Sequence, residues 1–113
     1  MLGTRYTDTV TLADGLDITQ QSIGVGSLSD VAHLNGAEGI FGLGPVGLTL
    51  GALPNAPTTT LTTVTHHLYT QGIISAEVVS ISFEPISATV ITFGQLDFGG
   101  VDPFRYTGNI ASV

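Results

Sequence analysis

Nine carboxylates, three histidines and one glycine-rich run are the features of this 113-residue sequence that bear on chemistry. Two carboxylates sharing a proton run acid–base hydrolysis when each is held in a tight, glycine-supported turn. None of the six aspartates is followed by Thr-Gly or Ser-Gly; Asp8-Thr9-Val10 comes nearest, and it lies inside a strand pattern. His66 and His67 are neighbours, so on a helix they point about 100° apart and cannot hold one ion together. A zinc-binding helix places its ligands four apart. Solvated helix-face histidines are the expectation, and no metal site is predicted. No serine sits in a G-x-S-x-G elbow. A Ser-His-Asp set is geometric, and the sequence gives no positive signal for one. Gly42-Leu43-Gly44-Pro45-Val46-Gly47 satisfies G-x-G-x-x-G. Pyrophosphate binding by that motif needs a helix opening inside it, with amides aimed at the ligand. Pro45 has no amide, the helical pattern begins well beyond Gly47, and no acid stands at 62–67 for a ribose. No catalytic residue, metal or cofactor is predicted.

The elements that would carry these residues are mainly strands. Residues 4–12 alternate, with Tyr6, Val10 and Leu12 on one face beside Asp8, and Thr7, Thr9 and Thr11 on the other. This is the period of a strand with one wet face. Ala13-Asp14-Gly15 is a turn signal. Leu16 and Ile18 continue one face, and the apolar register then shifts to Ile23 and Val25, which places a bulge near Gln20-Gln21. Residues 4–26 therefore read as a β-hairpin, followed by a polar loop with His33 and Asn35. Residues 39–44 are apolar and interrupted by glycines, which predicts a strand buried on both sides with another backbone close by. Residues 45–57 read as a loop. A helix is expected over 61–71, with Leu61, Val64, Thr65 and Leu68 on one face and Gly72 as its C′ glycine. Residues 77–84 alternate again, with Val79, Ile81 and Phe83 facing together, and Pro85 stops them. Strand segments are expected at 90–93 and 95–98, and a short last strand from Tyr106. Five or six strands and one helix make a mainly antiparallel β fold.

Composition narrows the function. At this length one domain is the ceiling. A hydrophobic share of 42% excludes a disordered acidic tail. The formal charge is −7 with two arginines and no lysine, which argues against nucleic acid and against an anionic membrane surface. Without cysteine there is no disulfide, zinc-thiolate or thiol chemistry. No run approaches the roughly 18 apolar residues of a membrane span, and no signal peptide is expected behind Met1. Few carboxylates and many hydroxyls suit an acidic extracellular setting, since paired carboxylates lose stability on protonation. A neutral-pH protein with a quiet surface would have the same composition. None of Asn35, Asn55 or Asn109 lies in an N-x-[ST] sequon.

Several segments taken together carry a resemblance. Glu38-Gly39-Ile40-Phe41-Gly42-Leu43-Gly44-Pro45 resembles the Asp-Gly-Ile-Leu-Gly-Leu-Gly segment of the pepsin family of aspartic endopeptidases. Tyr6-Thr7-Asp8-Thr9-Val10 and Gln20-Gln21-Ser22-Ile23-Gly24 are similar to the strands that follow its flap. Val64, Leu68, Gln71 and Gly72 match its helix and following turn. Leu96-Asp97-Phe98-Gly99-Gly100-Val101-Asp102 with Tyr106-Thr107-Gly108 resembles its closing segment. Ser82-Phe83-Glu84-Pro85 is most similar to the secreted fungal, polyporopepsin-like branch.

The resemblance implies part of a pepsin-like lobe, residues 1–113 forming a single partial domain: the later part of the N-terminal lobe. It implies that both catalytic Asp-Thr-Gly motifs and the flap tip lie outside this chain. Residues 1–3 would match the end of the flap. It further implies a secreted parent that cleaves peptides or proteins in acid, while this chain alone is inactive. Gly42 matches the glycine of the hydrophobic-hydrophobic-Gly element beside the catalytic loop, and Ile40 an apolar residue of a substrate subsite; ordinary core packing is the simpler reading of Ile40 in this chain by itself. Glu38 stands where the family usually has Asp. The rival expectation is a non-enzymatic secreted binding protein on a truncated scaffold, self-associating through exposed strand edges.

Overall fold

The computed structural model of the chain describes residues 2–28, 39–83 and 94–111. Along them run β1 (Leu2–Thr11), β2 (Asp17–Leu28), a 3₁₀ turn (Val46–Thr49), α1 (Val64–Thr70), β3 (Val79–Phe83), β4 (Gly94–Phe98) and a second 3₁₀ turn (Pro103–Arg105). The strands pair as β1–β2 and β3–β4, both antiparallel. The mainly β, antiparallel, one-helix architecture is the one the sequence predicts.

The first hairpin closes where the turn signal stood. Gly15 takes the left-handed conformation at φ 76°. The Leu16 amide donates to the Ala13 carbonyl, and the Leu12 amide to the Leu16 carbonyl, both at 3.0 Å. In the ladder Tyr6 faces Ile23, Asp8 faces Gln21 and Val10 faces Ile18. Thr9 is thus opposed by two residues, Thr19 and Gln20. That is a bulge at the expected place, with Gln20 at φ 55°. The extra residue lets Ile18 and Gln21, three apart, face the same way. Both are buried.

Ile18, Leu68 and Ile74 form the buried core, with Leu12, Leu16, Val64, Ile73 and Phe98 packed around it. The helix is shorter than the expected 61–71, because its first turn is never entered. Thr63 is extended at φ −85° and ψ 164°, and its side chain makes no capping bond. The other end is secured by Gly72 at φ 73°. There the Gly72 amide donates to the Tyr69 carbonyl (3.0 Å) and the Ile73 amide to the Leu68 carbonyl (2.9 Å). This crossed pair satisfies two carbonyls the helix end would otherwise orphan. It also turns Ile73 and Ile74 back onto Leu68.

Two side-chain amides join α1 to β2. Gln71 acts as a short piece of strand against the bulge: its Oε1 accepts from the Thr19 amide (3.1 Å) and hydroxyl (3.2 Å), and its Nε2 donates to the Thr19 carbonyl (2.8 Å). Buried Gln21 donates through Nε2 to the Thr62 and Ser22 carbonyls, each at 3.3 Å, while its Oε1 lies 3.0 Å from His67 Nδ1.

In the second sheet Val79 faces Phe98, Ile81 faces Leu96 and Phe83 faces Gly94. The Phe83 ring lies over Gly94, where a Cβ would come within 3.2 Å of it. The strand expected at 90–93 lies outside the described residues, as do His33 and Asn35. Two expected strands do not form. Residues 39–45 carry no ladder pairing among the described residues, and residues 106–111 run without strand structure after the second 3₁₀ turn. The physical reason is shared: a strand exists only against a partner, and apolar or alternating sequence does not supply one. The loop expected over 45–57 folds partly into the first 3₁₀ turn, pinned by Thr49, whose hydroxyl donates to the Val46 carbonyl and accepts from the Leu61 amide, both at 2.6 Å. A helical turn therefore does open inside the G-x-G-x-x-G run, contrary to expectation, but it is four residues long.

Candidate functional site

Residues 39–45 carry the two residues singled out for substrate contact. The structure leaves them open. Ile40 is 81% exposed. A Cβ built at Gly42 would meet no atom within 4 Å. Among the described residues neither the expected burial on both sides, nor the close backbone approach at Gly42, nor core packing of Ile40 is present. Without a ladder on either flank, nothing among the described residues brings a second backbone to this segment.

The neighbouring Phe41 does reach a hollow. It lines an apolar cavity of about 350 Å³ with Leu12, Ala13, Leu16, Leu96 and Phe98. The cavity backs onto the core through Leu12, Leu16 and Phe98. Its walls come from the β1–β2 turn, from β4 and from the segment after Gly39. Continuous apolar character at 39–44 was the signal for burial, and of that run Phe41 lines this hollow while Leu43 and Gly44 line a second, smaller one. The described side chains that line the larger one are all apolar, so it is suited to an apolar side chain.

The acids are spread among structural bonds. Asp8 accepts from the Thr9 amide (2.8 Å), and Asp17 from the Thr11 hydroxyl. Asp97 and Asp102 share a neighbour in Gln95, which stands between them. Its Nε2 donates to Asp97 Oδ1 at 2.6 Å and reaches Asp102 Oδ2 at 3.5 Å. Arg105 donates to Gln95 Oε1 (2.6 Å) and lies 3.7 Å from Asp102 Oδ2. Asp102 also caps the second 3₁₀ turn through the Phe104 amide (3.0 Å). A proton-sharing dyad needs two carboxyls in contact; this network interposes an amide donor.

The histidines diverge as their spacing requires. His66 Nδ1 sits 3.1 Å from both oxygens of Glu77. His67 Nδ1 faces Gln21 instead. Burial, and secondarily the charge of His66, lowers the His67 pKa below the ordinary 6.5. His67 is therefore more than a solvated face residue: its Nδ1 meets the side-chain oxygen of the buried Gln21 amide. Among the described residues no group of three or more His, Cys, Asp or Glu is placed to hold a metal ion. No helix of the described residues is long and apolar enough to cross a membrane.

Among the described residues, the antiparallel β scaffold presents a glycine-bearing apolar segment and brings no two carboxylates into hydrogen-bonded contact. The family model for eukaryotic aspartyl proteases matches residues 1–113. The chain belongs to that family. It is 46% identical over 108 residues to polyporopepsin of Irpex lacteus, an alignment covering 96% of this chain and 31% of that protein. It is 33% identical over 112 residues to secreted aspartic protease 3 of Candida albicans, covering 98% and 24% respectively. The crystal structure of the aspartic proteinase from Irpex lacteus superposes with a TM-score of 0.83 at 46% identity, covering 95% of this chain and 31% of that one. The chain thus spans about a third or less of the relatives it matches.

Proposed function

We propose that this chain is the later part of the N-terminal lobe of a secreted, pepsin-like aspartic endopeptidase, a single partial domain that walls the substrate cleft and performs no hydrolysis by itself. The observation that carries this reading is a family match over residues 1–113 in a sequence with no Asp-Thr-Gly anywhere. In the complete enzyme two aspartates would activate water and protonate the leaving amine. This chain would supply apolar contact to the peptide. Ile40, already projecting from its segment, is suited to meet a substrate side chain, and Gly42 leaves room for a neighbouring backbone beside the catalytic loop. Secretion is supported by the relatives named as secreted proteases.

The test is direct. Purified 113-residue chain is incubated with a denatured protein at acidic pH, with and without a peptide inhibitor that mimics the tetrahedral intermediate. The expected outcome is no inhibitor-sensitive cleavage; such cleavage would overturn the reading.

A second reading is favoured by the surface. Among the described residues three hydrophobic side chains are buried, while sixteen large ones are exposed, including Ile81, Phe83 and Leu96 on one face of the β3–β4 sheet. Exposed patches and open strand edges are what partner proteins cover. On this reading the chain is a binding module, or pairs with a second copy. A compact monomer in size-exclusion chromatography counts against it.

A further inference from the structure

Between Glu38 and Glu77 the sequence has no Asp, Glu, Lys or Arg, and much of its polarity comes from hydroxyls. Six threonines stand between Pro57 and His66. The fold sorts them into two groups. Thr62 and Thr63 are half-buried and Thr65 is buried, at the entry to α1. Thr58, Thr59 and Thr60 are exposed and lie outside any strand or helix. Two successive turns put them there. Pro54 and Pro57 each take the second position of a four-residue turn, the place that proline's fixed φ favours. The first turn closes through the Ala56 amide on the Leu53 carbonyl (3.1 Å), the second through the Thr59 amide on the Ala56 carbonyl (3.0 Å). Elsewhere the hydroxyls of Thr11, Thr19 and Thr49 are engaged, by Asp17, Gln71 and the Val46 carbonyl. Those of Thr58, Thr59 and Thr60 make no hydrogen bond among the described residues.

We propose that Thr58–Thr60 is an O-glycosylation site. Exposed hydroxyls grouped among prolines are the composition that carries O-linked sugar. In the transfer a threonine Oγ1 attacks the anomeric carbon of a sugar activated as a phosphate ester. The new C–O bond forms as the bond to phosphate breaks, the phosphate leaves with the electron pair, and the hydroxyl proton passes to a base of the transferase. Phosphorylation fits the stretch less well: no threonine or serine precedes a proline, and there is no charged residue nearby for a kinase to read. The fold also gives the sugar a place. The Leu61 amide donates to the Thr49 hydroxyl at 2.6 Å, which sets Thr60 beside the first 3₁₀ turn. There Leu48 and Leu50 are 78% and 60% exposed. Sugar on the neighbouring threonines would add hydrated surface to an apolar patch without charge of its own. The inference rests on the secreted reading, because the transfer belongs to the secretory pathway.

The test separates the two. The 113-residue chain is fused behind a cleavable secretion leader and translated with eukaryotic microsomes. Leader removal marks the imported chains, so the natural destination of the parent does not enter the result. Imported chains are expected to gain the mass of one or more sugars, mapped by fragmentation of the peptide to Thr58, Thr59 or Thr60. A hexose and an N-acetylhexosamine both support the site, and the mass tells them apart. The triple variant Thr58→Ala, Thr59→Ala, Thr60→Ala is expected to lose the added mass. Imported chain without sugar, sugar only at Thr62, Thr63 or Thr65, sugar retained in the triple variant, or phosphate in place of sugar overturns the proposal. Finding the natural parent retained inside its cell would instead overturn the secreted reading alone.

Discussion

The α1–β2 junction and the stretch 39–45 are comparably rich in apolar residues, yet one is closed and the other open. At the junction the core side chains and both glutamine amides find partners. Ile18 and Leu68 are fully buried, Gln71 bonds both backbone groups of Thr19, and Gln21 and His67 satisfy each other. Along 39–45 the backbone has no ladder, and Ile40 stands in solvent. Hydrophobicity is therefore a demand for partners rather than a description of burial. The junction meets that demand among the described residues, and the segment does not.

The contrast breaks first at its strongest point. Leu68→Ala removes the side chain on which α1, β2 and Ile74 converge, and is expected to cost about 3 kcal/mol, within the 2–5 kcal/mol typical of such truncations. Urea unfolding measures it. A loss below about 1 kcal/mol would mean that the junction is no more self-sufficient than the rest. Gln71→Ala strips Thr19 of its bonds on a surface that water can re-enter, so a smaller loss of about 1 kcal/mol is expected. It should be accompanied by faster hydrogen exchange at Thr19 and unchanged exchange in β4. The His67 contact sharpens the comparison through pH. Because burial lowers its pKa below 6.5, the unfolded chain takes up the proton first. Stability from this site is present above about pH 6.5 and is lost as pH falls below it. His67→Asn is expected to flatten the pH dependence of unfolding between neutral and mildly acidic pH, and an unchanged slope would show that the burial has no thermodynamic weight. Smallest of all is Ile40→Ser, which should leave stability within about 0.5 kcal/mol, as exposed substitutions do. A larger loss would show that the open segment is closed in solution.

The same contrast explains what was legible in the sequence. The hairpin, its bulge, the helix with Gly72 behind it, and the strands at Val79–Phe83 and Gly94–Phe98 are written in local patterns: period two, a shifted register, period 3.6, a turn glycine. Each is decided by residues a few positions apart, and each stands in the structure. The strands expected at 39–44 and from Tyr106 were read from patterns of the same kind but depend on a neighbour that pattern cannot supply. The bonds between Gln71 and Thr19 were invisible for the opposite reason: a glutamine after a helix looks like surface, and only the fold brings it to a bulge 52 residues earlier. Of the candidate site, the exposed position of Ile40 could not be read, because an apolar run signals the need for cover and says nothing about whether cover is at hand. The family resemblance was legible because it rests on the order of many short segments and requires no folding argument at all.

The amide of Gln71 has one more consequence. It stands in for a missing strand at the one point where β2 carries a residue too many, so the phase of the hairpin beyond that point is set from outside the hairpin. A glutamate there would turn an acceptor toward the Thr19 carbonyl, and an asparagine would fall short of it. Cut away from α1, the same 27-residue stretch would keep its turn at Gly15 but lose the reason to slip at Gln20. Tyr6, Ile23 and Val25 would then be free to trade faces.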